Sequence, residues 1–299
     1  MAELDGNGWV TCGLGHQHWG IYGAAGLLAY TRDAAAGTLA LLQHRAWWTA
    51  SGGTWGTPGG ARDSHESARQ AALREAAEEC ELPPEQVRVT GAVLEDHGGW
   101  SYQTLLGLAA SPFPVRAASR ESTEVGWFPV AEVGARPLHP GLAAQWPLMA
   151  DALEPLTLIV DAANVMGARP DGWWRDRAAA AGRLHAELTA LGSGGLVALP
   201  AELGLPALHR WYPEIILVVE GAARAIASPA AAGGDPVAVA GGQPVAVVAA
   251  PSSGDDTIAQ LAATAGGPRL VVTADRELRR RCESAGATVT GPRWLLGQL

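Results

Sequence analysis

Residues 60–82 read GARDSHESARQAALREAAEECEL, and this stretch decides the fold of the first half of the chain. Its central part, residues 64–80, predicts a helix. Glu75, Glu78 and Glu79 lie three or four positions apart, so their carboxylates can point to one side of that helix. Carboxylates so crowded repel one another without a cation, and oxygen ligands suit Mg²⁺ or Mn²⁺, which in turn bind the phosphates of a substrate.

The spacing of this segment resembles the Nudix box, which runs glycine, five residues, glutamate, seven residues, Arg-Glu, an apolar residue, any residue, Glu-Glu, any residue, glycine and an apolar residue. The matching residues are Gly60, Glu66, Arg74, Glu75, Glu78, Glu79 and Leu82. Ala76 fills the first apolar position. Glu81 replaces the final glycine, which leaves the end of the helix to the prolines that follow. The resemblance covers about residues 20–130.

The resemblance implies hydrolysis of a nucleoside diphosphate linked to another moiety, by attack of metal-activated water on a phosphorus. The implied metal ligands, for Mg²⁺ or Mn²⁺, are the carboxylates of Glu75, Glu78 and Glu79 and the backbone carbonyl of Gly60. The implied catalytic residues are Glu78, Glu79, Arg74, which orients a glutamate by an ion pair, and Glu124, a general base from a separate loop. Glu121 is the other candidate for the base. The residues that bind the nucleotide stay unassigned.

Elements around the box predict a mixed sheet, that is, a Nudix α/β/α sandwich. The expected strands are residues 22–30, 39–43, 87–94, 102–108 and 125–130. Asp63 or Ser64 is the expected N-cap of the glutamate helix, and the prolines at 83 and 84 are its stop. Four tryptophans could stack on a nucleobase or belong to the core and its rim: Trp47, Trp48, Trp55 and Trp100.

Cys12, His16 and His18 precede the first strand and suggest a metal site. A closed zinc site needs four ligands, and only three lie close together here, so a loop packed by Trp19 is the preferred interpretation. Whether these residues bind a metal stays open.

The second half begins after a segment rich in X-Pro pairs, residues 133–155, and we place two domains at 1–153 and 154–299. Residues 229–234 indicate compositional bias or a loop. Acidic residues follow apolar runs at Asp161, Glu220, Asp255, Asp256 and Asp275. Helical patterns between the runs, such as 173–191, predict a mainly parallel sheet, whose carboxyl ends share one edge. The acids should therefore converge around Mg²⁺ or Mn²⁺; alternatively, Asp256 and Asp275 only cap helices.

The order of these motifs resembles the NYN branch of PIN-like nuclease domains over about residues 156–299. The resemblance implies an α/β domain with metal-dependent RNA cleavage. Asp161, Asp256 and Asp275 would be metal ligands, and Asn164, Glu220, Asp255 and Thr273 would be auxiliary. Arginines at 276, 279, 280 and 281 could grip a phosphate backbone or form a solvated basic face.

The composition of the 299 residues, 48% of them apolar, is sufficient for two cores. We expect a cytoplasmic protein without a membrane span, because no apolar run approaches ~18 residues and the three cysteines lie far apart. All 21 basic residues are arginine, which excludes lysine Schiff-base chemistry and lysine-containing phosphate loops. The net charge of −9 argues against nonspecific nucleic-acid binding through bulk charge.

The favoured function is a metal-dependent nucleotide pyrophosphohydrolase whose C-terminal domain could act as a ribonuclease. The partners are a nucleotide and, at the second domain, RNA; the oligomeric state stays unassigned. An alternative is a nucleotide-sensing module that binds without hydrolysis, with an inactive or RNA-binding C-terminal domain. The intact glutamate trio argues against the sensor, since a sensor does not need activated water.

Overall fold

The computed structural model describes residues 5–227 and 244–299, which form two compact units. The first unit holds the chain up to Leu153 and Pro206–His209, and the second holds Glu154–Leu205 and Arg210–Leu299. The stretch 229–234 lies outside the described residues. In the parts described, no helix combines the length and the apolar character that crossing a bilayer requires.

The first unit is built on a mixed sheet, as the sequence predicts. Its strands are β1 (Trp9–Thr11), β2 (Gln17–Trp19), β3 (Ala24–Asp33), β4 (Gly37–Arg45), β5 (Trp55–Gly56), β6 (Gly59–Ala61), β7 (Val87–Asp96), β8 (Ser101–Ala109) and β9 (Ser122–Pro129). Its helices are α1 (Ala68–Cys80), α2 (Val130–Val133) and α3 (Pro140–Ala150), with a 3₁₀ turn at Pro84–Gln86. Strand β3 pairs with β4 and β6 in antiparallel orientation and with β8 in parallel. Its first eight residues are buried, so both faces of the sheet are covered there.

The glutamate helix α1 begins later than predicted. Its N-cap is Ser67, which accepts a hydrogen bond from the Gln70 N–H in a capping box. Asp63 is instead buried and accepts a bond from the Gly6 N–H at 2.9 Å. At the other end Glu81 is the C-cap, in the left-handed region at φ 55°, which is the conformation that usually selects glycine.

The second unit contains a parallel sheet of five strands: β10 (Thr157–Asp161), β12 (Glu214–Val219), β13 (Ala246–Ala249), β14 (Arg269–Val272) and β15 (Thr288–Thr290). Their order in the sheet is β13-β12-β10-β14-β15. A short strand of the unit, β11 (Arg210–Trp211), lies outside this sheet. The helices of the unit are α4 (Ala162–Gly167), α5 (Arg177–Gly194), α6 (Gly254–Thr264), α7 (Arg276–Ser284) and α8 (Pro292–Leu296), with 3₁₀ turns at Trp173–Arg175, Ala201–Leu203 and Gly221–Ala227. The strand order reverses between β10 and β14, and such a switch point opens a crevice at the carboxyl ends of the strands.

Two helices of this unit differ from the sequence expectation. The predicted helix 173–191 is a 3₁₀ turn followed by α5, which starts at Arg177. Helix α4, directly after Asp161, was not predicted because six residues are too short to show a helical period. Asp161 caps α4 by accepting a bond from the Asn164 N–H. Asp161 therefore caps a helix as well, although the sequence suggests that role only for Asp256 and Asp275.

Candidate functional site

Glu79 is held against the strand that precedes α1. Its Oε2 accepts hydrogen bonds from the Gly59 N–H at 2.9 Å and from the Gln43 side-chain amide at 3.1 Å. Gln43 in turn accepts a bond from the Ser122 hydroxyl at 2.9 Å. Burial, together with the neighbouring Glu75 charge, raises the pKa of Glu79 to about 7, although the Gly59 N–H opposes that shift. Among the described residues, Glu79 Oε1 accepts none of these hydrogen bonds. This second oxygen is therefore available to a ligand.

Glu75 lies against Gly60, and this contact explains the glycine. A Cβ atom on Gly60 would lie 2.4 Å from Glu75 Oε1, which no side chain can occupy without displacing the carboxylate. Gly60 is fixed in β6, opposite Ala25 of β3. Burial raises the pKa of Glu75, although the Arg74 guanidinium opposes that shift.

Arg74 joins three glutamates. Its Nε and Nη2 donate to the two oxygens of Glu66 at 2.8 and 2.9 Å, a bidentate pair. Its Nη1 donates to Glu75 at 2.8 Å and to Glu78 at 3.3 Å, and Nη2 also donates to the Ala61 carbonyl at 3.0 Å. This guanidinium holds the pKa of Glu66 below its usual range. Arg74 therefore fixes the carboxylates rather than facing a substrate itself.

The donor chemistry of this cluster fits a hard divalent cation. Carboxylate oxygens and the Gly60 carbonyl are the ligand types that Mg²⁺ and Mn²⁺ prefer, and the absent Cβ lets Glu75 approach that backbone. Among the described residues, two groups of acidic, histidine or cysteine ligand atoms lie within 4.8 Å of one another, and neither includes these glutamates. Glu78 keeps 57% of its side chain exposed, and its 3.3 Å contact with Arg74 is the longest that the guanidinium makes to these glutamates.

The two candidates for the general base differ in position. Glu124 is exposed in β9, opposite His44. Glu121 precedes that strand, and its charge is close enough to Glu79 to raise the pKa of that carboxyl. Of the two candidates, Glu121 is thus the one whose charge acts on Glu79.

A cavity of about 290 Å³ opens beside Gly59, the first residue of β6. Its lining includes Gly59, Arg45, His139, Tyr102 and Trp100. Of the four tryptophans considered for base stacking, Trp100 lines it, whereas Trp47 is 80% exposed and Trp55 is buried against Phe128. Arg45 and His139 were missed from the sequence, because they come from strands and loops distant from the box and carry no local pattern.

Comparison with known proteins identifies the first unit. A family model described as NUDIX domain matches residues 23–152. The protein "Putative 8-oxo-dGTP diphosphatase 3" of Mycobacterium tuberculosis is 45% identical over 148 residues, which are 48% of this chain and 68% of that protein. The chain belongs to the Nudix family.

Two further similarities concern the same family. The "Nucleoside triphosphate pyrophosphatase/Nudix hydrolase fusion protein" of Bifidobacterium longum is 43% identical over 159 residues, which are 52% of this chain but 33% of that protein. The crystal structure of a Nudix hydrolase from M. smegmatis is 44% identical, with 48% of this chain and 92% of that one covered and a TM-score of 0.45. The chain thus spans a third of the fusion protein and about two thirds of the M. tuberculosis relative.

Outside the Nudix unit, Asp161 lies at the switch point of the parallel sheet. Its Oδ2 accepts bonds from the Thr273 hydroxyl at 2.8 Å and the Asn164 side-chain amide at 2.6 Å. Its Oδ1 accepts the Asn164 N–H at 3.1 Å, and the Asn164 side-chain oxygen accepts the Ala274 N–H. Burial raises the pKa of Asp161. Residues 112 positions apart are thereby joined at the ends of two neighbouring strands.

Asp255, rather than Asp256, faces the other acids of this edge. Burial raises the pKa of Asp255, and the charges of Asp161, Asp275 and Glu220 raise it further. Asp256 forms an ion pair with Arg281 at 2.8 Å on the surface. Glu220 accepts the Gly254 N–H at 3.0 Å, and Asp275 caps α7 through the Leu278 N–H.

The arginines that follow Asp275 are largely committed to nearby acids. Arg281 pairs with Asp256, Arg280 with Glu277, and Arg279 with Glu283 at 3.6 Å. These ion pairs are exposed and correspond to the solvated basic face more closely than to a phosphate grip.

Proposed function

We propose that the Nudix unit is a Mg²⁺- or Mn²⁺-dependent hydrolase of nucleoside diphosphate-linked compounds. The observation that carries this proposal is the network of Glu66, Arg74, Glu75 and Glu78, beside a Glu79 whose Oε1 remains available. A surface helix does not need one guanidinium to fix three carboxylates, nor a backbone N–H to orient a fourth. Such fixed carboxylates suit positioning for phosphoryl chemistry.

Glu75, Glu78, Glu79 and the Gly60 carbonyl would hold the ions. When bound, divalent ions neutralise the pyrophosphate and lower the pKa of the attacking water. Arg74 keeps Glu75 and Glu66 in place by its bidentate and bridging hydrogen bonds. Glu121, whose charge acts on Glu79, is the better-placed acceptor for the proton of that water.

The cavity beside Gly59 is the proposed place of the nucleoside. Trp100 and Tyr102 offer aromatic surface, and Arg45 and His139 offer donors to phosphate or base oxygens. Because one relative is named for 8-oxo-dGTP and another for nucleoside triphosphates, oxidised and ordinary nucleoside triphosphates are the proposed first substrates.

A panel of nucleoside triphosphates, 8-oxo-dGTP, dinucleoside polyphosphates and nucleotide sugars tests this function. The full-length protein should hydrolyse a phosphate–phosphate bond of at least one compound when Mg²⁺ or Mn²⁺ is present, and of none after chelation; chromatography of the two products, a nucleotide and the phosphate, pyrophosphate or phosphorylated group that leaves, is the readout. If calorimetry shows nucleotide binding while no compound is cleaved with either ion, the nucleotide-sensing alternative replaces the hydrolase.

For the second unit we propose metal-dependent cleavage of RNA at the switch point. The observation that favours it is the connected set of Asp161, Asn164 and Thr273, with Asp255 electrostatically coupled to Asp161. We propose Asp255 in place of Asp256 as the partner of Asp161 and Asp275, because Asp256 is paired with Arg281. Single-stranded RNA incubated with Mn²⁺ should be cut by the wild type and stay intact with Asp161→Asn. RNA left uncut by the wild type would leave a binding or inactive domain.

A further inference from the structure

Four metal-ligating side chains meet away from both groups of carboxylates. Cys12, His16 and His18 belong to the hairpin of β1 and β2, and His97 lies in the connection from β7 to β8. One ligand atom from each residue lies within 4.8 Å of all the others. His97 therefore supplies the fourth ligand that the sequence lacks near Cys12; it lies 79 positions after His18 and carries no spacing signal.

The separations within this cluster, which we call the Cys-His₃ cluster, suit tetrahedral zinc. Zinc bonds of ~2.0–2.1 Å to nitrogen and ~2.3 Å to sulfur imply edges of roughly 3.3 Å between nitrogens and roughly 3.6 Å between nitrogen and sulfur. His18 Nε2 and His97 Nδ1 are 3.0 Å apart, and Cys12 Sγ is 4.0 Å from His97 Nδ1. Shifts of a few tenths of an ångström would bring these two separations to tetrahedral edges, and every other pair of ligand atoms in the cluster lies within 4.8 Å.

The second ring nitrogen of His97 gives independent support. His97 Nε2 lies 2.8 Å from a carboxylate oxygen of Glu95. Metal-bound histidines commonly donate their other N–H to a carboxylate, which fixes the ring and directs the remaining nitrogen at the metal. Here that remaining nitrogen, Nδ1, is the one directed at Cys12 and His18.

The backbone and one aromatic ring hold the other ligands in place. The Cys12 N–H donates to the His16 carbonyl and the Gly15 N–H to the Cys12 carbonyl, both at 2.9 Å. Gly15 has φ +83°, so this tight turn favours glycine. The His18 ring stacks on Trp100 at 3.8 Å with the planes 8° apart. Backbone hydrogen bonds and ring stacking thus position these residues without a bound ion.

We propose that the Cys-His₃ cluster is a structural zinc site that fastens the N-terminal hairpin to the β7–β8 connection. Four protein ligands close the coordination of zinc and leave no position for a reacting water, so the role is structural. One thiolate and three neutral imidazoles favour zinc over the oxygen-preferring Mg²⁺ and Mn²⁺. Since His18, His97 and Trp100 also line the nucleotide cavity, the ion would stiffen that wall.

Metal content of the untagged, full-length protein tests the site. After growth with added zinc and gel filtration, elemental mass spectrometry should find a single equivalent of zinc per chain. Stripping with a chelator should lower Tm, and zinc alone should restore it. Cobalt in place of zinc should give the absorption of a tetrahedral thiolate complex.

Variants distinguish zinc binding at the Cys-His₃ cluster from zinc binding by other cysteines or histidines of the chain. Cys12→Ser and His97→Gln should each lose the zinc, whereas Cys282→Ser and His185→Gln, in the second unit, should retain it. The proposal is overturned if the folded wild type holds no zinc after gel filtration and added zinc does not change its Tm. It is also overturned if a folded double variant, Cys12→Ser with His97→Gln, retains the zinc. If that variant does not fold, the measurement on the wild type decides.

Discussion

Arg74 illustrates how one residue organises a site. It makes a bidentate pair with Glu66 and single bonds to Glu75 and to the Ala61 carbonyl. A lysine has one donor group and cannot reproduce this fork. We expect Arg74→Lys to lower kcat about tenfold or more, since losing ~1.4 kcal/mol of positioning is a factor of ten. Arg116→Lys, on an exposed ion pair, is the control; equal kcat in both variants would deny Arg74 a positioning role.

Gly60 is a residue whose missing side chain matters. An alanine Cβ would meet Glu75 Oε1 at 2.4 Å, so Gly60→Ala should displace that carboxylate. We expect a kcat at least about tenfold lower in a variant that still unfolds cooperatively, because the carboxylate can no longer approach the backbone of Gly60. Steady-state kinetics and thermal unfolding check this. Unchanged kcat would mean that the contact between Gly60 and Glu75 is not used.

At the scale of elements, the exit of α1 departs from its family pattern. Glu81 adopts φ 55° although the motif has glycine there, and it forms an exposed pair with Arg116. Both Glu81→Ala and Glu81→Gly remove the pair, but only glycine adopts this conformation without steric cost. In urea unfolding, the free energy of unfolding of Glu81→Gly should therefore exceed that of Glu81→Ala by about 1 kcal/mol. Equal stability would show that the helix ends differently in solution.

Helix α5, in the second unit, contains a glycine at a position whose conformation does not require one, Gly182. A Cβ on Gly182 meets no atom within 4 Å, and its φ is not left-handed. Gly182→Ala should therefore stabilise the protein by about 0.5–1 kcal/mol, because alanine restricts the unfolded chain and favours helix. A lower unfolding midpoint would indicate that the helix is distorted at this position.

Elements with a strong local pattern were predictable. The glutamate helix and the long strands follow from periodicity and turns, and the family match to residues 23–152 agrees with the box. The start of α1 was misplaced because Asp63 looks like a cap but binds Gly6 instead. Helix α4 was missed because it is short, and that omission hid the capping role of Asp161.

At the scale of the whole molecule, remote contacts escaped prediction. Gln43 on Glu79, and His97 beside His18, join residues whose spacing carries no periodic signal. The sequence also could not show that Asp256 pairs with Arg281, 25 residues away, and this pair is the reason that we propose Asp255 in its place. Sequence patterns therefore located the box but not the residues that support it from other elements.

The proposed sites also predict separable activities. The glutamates belong to one compact unit and Asp161 to the other. In the full-length chain, Asp161→Asn should abolish RNA cleavage and leave nucleotide hydrolysis within about twofold of wild type, and Glu79→Gln should do the reverse. Parallel assays of both reactions check this. Loss of both activities in either folded variant would show that a single site serves both reactions.

The central claim is that the glutamate helix performs metal-dependent pyrophosphate hydrolysis. Its most direct test is Mg²⁺-dependent turnover of the best nucleotide by wild type, Glu78→Gln, Glu79→Gln and, as control on the same helix end, Glu81→Gln. Each substitution keeps the size of the side chain and removes a charge. We predict a loss of about a hundredfold or more at 78 and 79, because ~3 kcal/mol of charge stabilisation disappears, and wild-type turnover at 81. Unchanged turnover in both Glu78→Gln and Glu79→Gln would contradict the account.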